Sequence, residues 1–278
     1  MILTYLNQTV ELKIPKTTIR LKKEIQEELF NNYEDKCPLY APIYQNEEFF
    51  NAVREHETPE NLEEIPVKTI GQWMSGGADS SLLAYLLCKE IKDQKLDIKF
   101  QPLTVRRGRP NNPMYAEGVV DFIKEELDVD FILPHLLYYP PKNDAEMTEK
   151  KIFWQKDSEN FRDGVFEVLF SGITSNPPKD SGVPRNKERN RDEDAERPTE
   201  SRNGMRHYIN PFFQINKKWE AEVYKDFGLM DTLFPITYSC EGDAEDTKTH
   251  TWHCGNTQPE IRTCWWCMER KWAFGRLQ

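Results

Sequence analysis

Two clusters of residues in this 278-residue chain have the types and spacing to do chemistry. The first is Ser75-Gly76-Gly77-Ala78-Asp79-Ser80-Ser81. Paired glycines let a backbone turn sharply and approach a ligand closely. Serines at a helix start stand beside free N–H groups and the positive end of the helix dipole, a ready site for phosphate. The same residues also fit an ordinary turn in which Asp79 or Ser80 caps a helix. The second cluster is Cys240, Cys254, Cys264 and Cys267, four of the six cysteines. Cys264-Trp265-Trp266-Cys267 is a chelating pair in itself, and Cys240 and Cys254 supply two further thiolates. Four soft sulfur ligands in tetrahedral array suit a structural Zn2+ ion. Spacing leaves three other readings open: an iron–sulfur cluster, a redox pair at Cys264 and Cys267, or His250 or His253 in place of one thiolate.

The flanking elements position the first cluster. Residues 67–74 are short, apolar and partly β-branched, which predicts a buried strand. Residues 82–91 are apolar around most of a helical circumference, which predicts a buried helix. Further strands are expected over 97–105, 129–134 and 167–172, with helices over 115–127 and 159–166 between them. This alternation predicts an α/β fold, a parallel sheet with helices on both faces. The Ser75 loop then falls beyond the carboxyl end of the first strand, where such sheets bind ligands. A last helix over 217–227 stops at Gly228.

Residues 1–65 read as an attachment of unassigned role: a strand or hairpin in 1–14, a helix over 18–33, and an acidic linker over 55–64. Cys37 and His56 within it carry no chemistry. Residues 176–206 open with Pro177-Pro178 and continue as a dense charged run. That composition predicts a solvated surface loop, with a lid whose arginines meet phosphate as the functional alternative. The net charge of −10 argues against a general nucleic-acid binder. No apolar run approaches the roughly 20 residues of a membrane span, and no basic-then-apolar leader opens the chain. The expectation is a cytoplasmic protein whose cysteines bind metal rather than pair.

In its strand–helix setting, Ser75-Gly76-Gly77-x-Asp79-Ser80 resembles the PP-loop of the ATP pyrophosphatase superfamily, nucleotide α-hydrolases that cleave ATP between its α and β phosphates. It is not a Walker A loop, because no Gly-Lys-Ser/Thr follows. The order Pro211, Phe212-Phe213, Lys217-Lys218, helix, Gly228, Thr237-x-Ser239-Cys240 is similar to the carboxyl half of one branch, the 7-cyano-7-deazaguanine synthases. Those chains end on Ser-Cys, then Cys-Gly-x-Cys-x-x-Cys, then Arg and Ala-Phe. Here Ser239-Cys240, Cys254-Gly255, Cys264-x-x-Cys267, Arg270 and Ala273-Phe274 keep that order, with 256–263 inserted.

The resemblance implies an adenine nucleotide α-hydrolase-like domain over 66–238 and a four-cysteine zinc module over 239–278. It implies that ATP and Mg2+ are held so that a substrate oxygen attacks the α phosphate, leaving an adenylate and pyrophosphate. Ser75, Gly76, Gly77, Ser80 and Ser81 would cradle phosphate, and Asp79 would orient the loop or coordinate Mg2+. Lys218, or its neighbour Lys217, matches a lysine placed near the phosphates; a solvated helix start is the plain alternative. Arg162 echoes a catalytic arginine. The implied reaction adenylates 7-carboxy-7-deazaguanine and aminates it with ammonia to the nitrile, in a homodimer with no membrane partner. Two segments depart from the pattern: Val105-Arg106-Arg107-Gly108-Arg109-Pro110 replaces a Tyr-Gly-Gln-Arg-His-like stretch, and only Arg162 and Phe166 echo Arg-Asn-x-x-Phe. The alternatives are a PP-loop tRNA thiolase, with Cys88 or a metal-site cysteine handling sulfur, and a non-catalytic ATP-binding partner subunit.

Overall fold

The computed structural model describes residues 1–34, 47–106, 112–139, 156, 159–161, 163–183, 208–240 and 264–277. The chain opens on a hairpin, β1 (Ile2–Tyr5) and β2 (Gln8–Glu11), whose turn residues Leu6 and Asn7 take φ of 51° and 61°. Two successive positive φ values twist the turn to match its strands. Then come β3 (Thr17–Leu21), α1 (Lys23–Glu34), α2 (Glu47–His56) and β4 (Leu62–Pro66), with β3 and β4 paired antiparallel. Two expectations change here. The helix read over 18–33 starts only at Lys23, because Thr17-Thr18-Ile19 is β-branched and finds a strand to pair with. The acidic linker read over 55–64 runs into that partner strand.

These amino-terminal pieces pack differently. Leu3, Val10, Leu12 and Ile14 join the main core, and the Trp219 indole N–H donates to Gln8 O at 3.1 Å. Leu21, Leu29, Phe49 and Ala52 form a small cluster of their own.

The remainder is an α/β unit: β5 (Thr69–Trp73), α3 (Ala78–Asp93), β6 (Lys99–Val105), α4 (Asn112–Leu127), β7 (Leu136–Tyr138), β8 (Val168–Ser171), β9 (Tyr208–Ile209), α5 (Lys217–Asp226), a 3-10 turn (Phe234–Ile236) and α6 (Trp265–Phe274). The strands form one parallel sheet in the order β7-β6-β5-β8-β9. Ile70, Phe100, Val168 and Phe170 face the layer of α3, α4 and α5. Trp73, Leu103, Val105 and Leu169 face the opposite side, where Phe161, Val165 and Phe166 cover them. Both faces are closed, so the strands are buried on both sides, the polar Gln72, Gln101 and Thr104 included. Leu82, Leu83, Leu86 and Leu87 of α3 are fully buried, each contributing roughly 1.5–3 kcal/mol. From β5 the chain runs outward through β6 and β7, then returns to β8 on the other side. Strand order therefore reverses at the carboxyl end of β5, the place where open α/β sheets bind ligands.

The expected strand over 129–134 is reduced to one bridge. Ile132 pairs with Phe100, and regular pairing resumes only at Leu136 opposite Leu103, so the edge segment carries one extra residue. Pro102 and Pro134 explain this bulge. Phe100 bonds to Phe131 and Leu133 through both its backbone groups, so Pro102, two residues on, turns its donorless nitrogen toward the same edge. The Gln101 amide fills the gap by donating to Pro134 O at 2.7 Å. The helix expected over 159–166 is a turn at 159–161, ended by Gly164 at φ 69°. Of the charged run read as a loop or lid, residues 184–206 lie outside the described residues. No helix among the described residues is long and apolar enough to cross a membrane.

Candidate functional site

The glycine turn joins β5 to α3. Gly76 takes φ of 74°, and a Cβ there would lie 2.7 Å from the Tyr115 Cβ. Its carbonyl accepts the Tyr238 N–H at 2.7 Å. Gly77 is the N-cap of α3 and brings no side chain to satisfy the helix's first N–H groups. Gly76→Ala is expected to lower stability by about 1–3 kcal/mol through backbone strain and the clash. Gly118→Ala, inside α4 with nothing within 4 Å of the new methyl, is expected to stabilise by about 0.4–1 kcal/mol. Denaturant melts of the two variants check the contrast.

The three serines of the turn divide their work. Ser81 is fully buried and its hydroxyl donates to Gly77 O at 2.7 Å, so it braces the turn from behind. Ser80 Oγ, also buried, donates to the same carbonyl and accepts from the Ser75 N–H, each at 3.2 Å. Ser75 is the most accessible of the three; its Oγ accepts the Gly77 N–H at 3.2 Å. The segment entering the turn is held as well. Thr104 donates its proton to Met74 O, so His135 must donate to Thr104 through Nε2–H. Burial pulls the His135 pKa down to about 4, which keeps the ring neutral.

Asp79 lies in the first turn of α3 against a buried cation. Lys217 Nζ is 3.2 Å from Asp79 Oδ2 and 2.5 Å from Glu269 Oε2, with the lysine side chain only 4% exposed. Thr174 Oγ1 donates to Asp79 Oδ2 at 3.3 Å. The adjacent Lys218 points out: its Nζ sits 4.8 Å over the Trp272 ring, and its N–H meets the Asn216 cap. Helical periodicity separates the two, because Lys217, Glu220 and Tyr224 share the inner face of α5. Of the two lysines named from sequence, the structure brings Lys217 to Asp79. Arg162 and Cys254 lie outside the described residues.

Glu220 is the group the sequence reading missed most completely. It is fully buried, and as an ionised group it would leave two oxygens without a donor. Burial first, then the negative charge of Asp79, push its carboxyl well above the usual carboxylate range, against the pull of Lys217. These surroundings favour the neutral, protonated carboxyl over the ionised one. A raised folded-state pKa gives stability that is full below the ordinary value of 4.5 and falls as pH rises toward the raised value. Glu220→Gln, which mimics the protonated acid, is expected to be more stable than wild type at neutral pH. The difference should vanish near pH 4; a constant difference across the range refutes the assignment.

Other contributors come from distant segments. Gly172 presses on Asp79, where a Cβ would lie 2.8 Å from the Asp79 carbonyl oxygen. Tyr224 Oη donates to Ala78 O at 2.9 Å. Beyond β8 and β9, Thr174, Ser175 and Asn210 are buried, and Ser175 Oγ and Asn210 Oδ1 have no hydrogen-bond partner among the described residues. Buried polar atoms without a protein partner call for one from outside, whether water, an ion or a ligand's polar group. The only sequence signal for this set was a polar Thr174-Ser175-Asn176 run separated by two residues from an apolar strand.

Cys240, Cys264 and Cys267 converge with their sulfurs all within 4.8 Å of one another, Cys240 and Cys264 at 3.8 Å. A tetrahedral ion with metal–sulfur bonds near 2.3 Å sets sulfurs about 3.8 Å apart. The three thiols therefore fit a single-ion metal site. Cys88 takes no part: it is fully buried in α3, and burial pushes its thiol well up, away from the reactive thiolate. His56 caps its own helix through Ala52 O at 2.7 Å. Arg270, three residues after Cys267, is fully buried and donates to Phe234 O, Thr237 O and Leu277 O. Burial lowers its pKa only to about 10, so it stays charged.

No protein-family model matches the chain, and no curated protein matches it. Among solved structures, the U34-tRNA thiolase NcsA from Methanococcus maripaludis with its 4Fe–4S cluster matches at 14% identity and a TM-score of 0.37. The match covers 74% of this chain and 70% of that one. At that similarity no property of the thiolase is transferred here.

Proposed function

We propose that this chain is a PP-loop enzyme that binds ATP with Mg2+ on the Ser75–Asp79 turn and transfers the adenylyl group to a substrate oxygen, releasing pyrophosphate. One observation carries the reading. An uncapped helix start on a Gly76-Gly77 turn lies at the reversal point of a parallel sheet, with a buried lysine held at its first acidic residue. The step needs positioning and charge stabilisation rather than a protein nucleophile. The N–H groups at the start of α3 and the Ser75 hydroxyl would hold phosphate oxygens, and Lys217 would offset charge developing on the leaving pyrophosphate. Asp79 would orient Lys217 and meet Mg2+. Ser175 and Asn210 would bind the acceptor; their unmatched oxygens call for N–H groups, as a deazaguanine-type heterocycle presents.

The finer reading follows the sequence resemblance: 7-carboxy-7-deazaguanine is adenylated, ammonia displaces AMP to give the amide, and a second ATP adenylates the amide oxygen, which leaves as AMP to give the nitrile. The cysteines would hold a structural Zn2+, because sulfurs bound to separate irons of a cluster stand farther apart than those on one ion. Transfer of sulfur to tRNA is the second reading. It is favoured by Cys240 standing one residue from Ser239, whose hydroxyl meets the Ala78 N–H of the turn at 3.5 Å.

Product analysis tests these readings. Purified protein with ATP–Mg2+, ammonium and 7-carboxy-7-deazaguanine is expected to form AMP, pyrophosphate and a nitrile. AMP with other acids only keeps adenylation and discards the base; AMP with tRNA, together with iron rather than zinc by metal analysis, selects the thiolase. ADP and phosphate, or no turnover by folded, metal-loaded protein, overturns the adenylyl-transfer reading.

A further inference from the structure

The three residues entering the cysteine site form an unbroken link to the glycine turn. The Tyr238 N–H donates to Gly76 O at 2.7 Å. Ser239 Oγ accepts the Ala78 N–H at 3.5 Å and the Arg270 Nη1–H at 3.3 Å. Cys240 is one of the three converging thiols. Ser239 Oγ also stands 3.2 Å from the position a Gly77 Cβ would take, so it borders the turn directly. A hydroxyl can accept two hydrogen bonds and still donate one. Both acceptances are used here, and among the described residues nothing takes the Ser239 proton. The residue is partly accessible, at the mouth of the helix start.

We propose that Ser239 is a phosphate-binding residue of the nucleotide site, delivered by the carboxyl-terminal segment, and that the metal on Cys240, Cys264 and Cys267 thereby sets nucleotide affinity. The inference rests on the nucleotide reading and extends its site beyond the turn. Arg270 supports it from behind. By bonding Phe234 O and Thr237 O from the helix that carries Cys264 and Cys267 at its start, Arg270 ties the 234–239 segment to the metal site. Its charge also polarises the Ser239 hydroxyl toward an anion. The coupling is reciprocal: if metal tightens nucleotide binding by some factor, nucleotide tightens metal by the same factor.

Two measurements decide the matter. Calorimetric titration with α,β-methylene-ATP and Mg2+ is expected to show Ser239→Ala binding about tenfold more weakly than wild type, with unchanged metal content and thermal midpoint. Ser239→Thr, which keeps the hydroxyl, should stay near wild type. Equal affinity in Ser239→Ala overturns the inference alone, whereas no binding by wild type overturns the nucleotide reading with it. Should Ser239→Ala lose metal or fold, the wild-type protein decides. In equilibrium competition with a zinc-selective chelator, it should hold its metal more tightly with the analogue bound, by the same factor by which metal tightens analogue binding. Equal metal affinity with and without the analogue overturns the coupling.

Discussion

Lys217→Met is expected to lower AMP formation by about 100- to 1,000-fold, the usual loss when one charge-stabilising group is removed from a transition state. Lys218→Met should remain within about threefold of wild type. The two lysines are adjacent, yet Lys217 is buried between Asp79 and Glu269 while Lys218 lies over Trp272 in solvent. Removing the buried cation also leaves carboxylates without their partner, a loss of about 3–5 kcal/mol when a buried pair is broken. Lower stability alone would mimic lower activity, so a second variant separates them. Lys217→Met combined with Glu269→Gln removes one uncompensated charge and should recover much of the thermal midpoint while leaving turnover as low as in the single variant. Recovery of turnover in the double variant would mean that Lys217 serves the fold and not the reaction. Equal losses at Lys217 and Lys218 would remove Lys217 from the site.

Removing the metal should have the largest structural effect. Structural zinc sites contribute on the order of 10–16 kcal/mol of apparent folding energy, comparable to the whole 5–15 kcal/mol stability of a typical domain. Helix α6 brings Glu269 to Lys217, Arg270 to the 234–239 segment, and Phe274 against Phe234 with ring centroids 4.4 Å apart. Cys267→Ser, or prolonged chelation, is expected to release this helix. Trp265, Trp266 and Trp272 would then shift their fluorescence to the red, trypsin would cut after Arg270 and Lys271, and AMP formation would cease. Cys88→Ala, deep in α3 and away from the metal site, should keep full metal content and the site's geometry. A chelated protein with native fluorescence, protease resistance and turnover would show that the thiols serve some purpose other than holding the tail.

The parts of the fold carried by periodicity were legible. β5, α3, β6, α4 and β8 stand where apolar runs and helical spacing put them, because each buries its side chains by a local rule. The misreadings have non-local causes. Thr17–Leu21 became a strand only because Leu62–Pro66 pairs with it, and the edge segment near Ile132 slipped by one residue because two prolines remove donors.

The candidate site divides the same way. The sequence alone determined the turn, since Gly76 and Gly77 between an apolar strand and an apolar helix have few conformations open to them. It also grouped Cys240, Cys264 and Cys267, whose sulfurs converge, with Cys254, which lies outside the described residues. Tertiary structure decided which charges face each other. Lys217, Glu220, Glu269, Thr174 and Ser239 come from four separate segments, and each is a common surface residue type. Only the reversal of strand order at β5, and the return of α6 across α5, brings them to Asp79 and the turn. Whether a lysine or a glutamate is solvated or buried, paired or protonated, depends on neighbours far along the chain, and no local pattern encodes them.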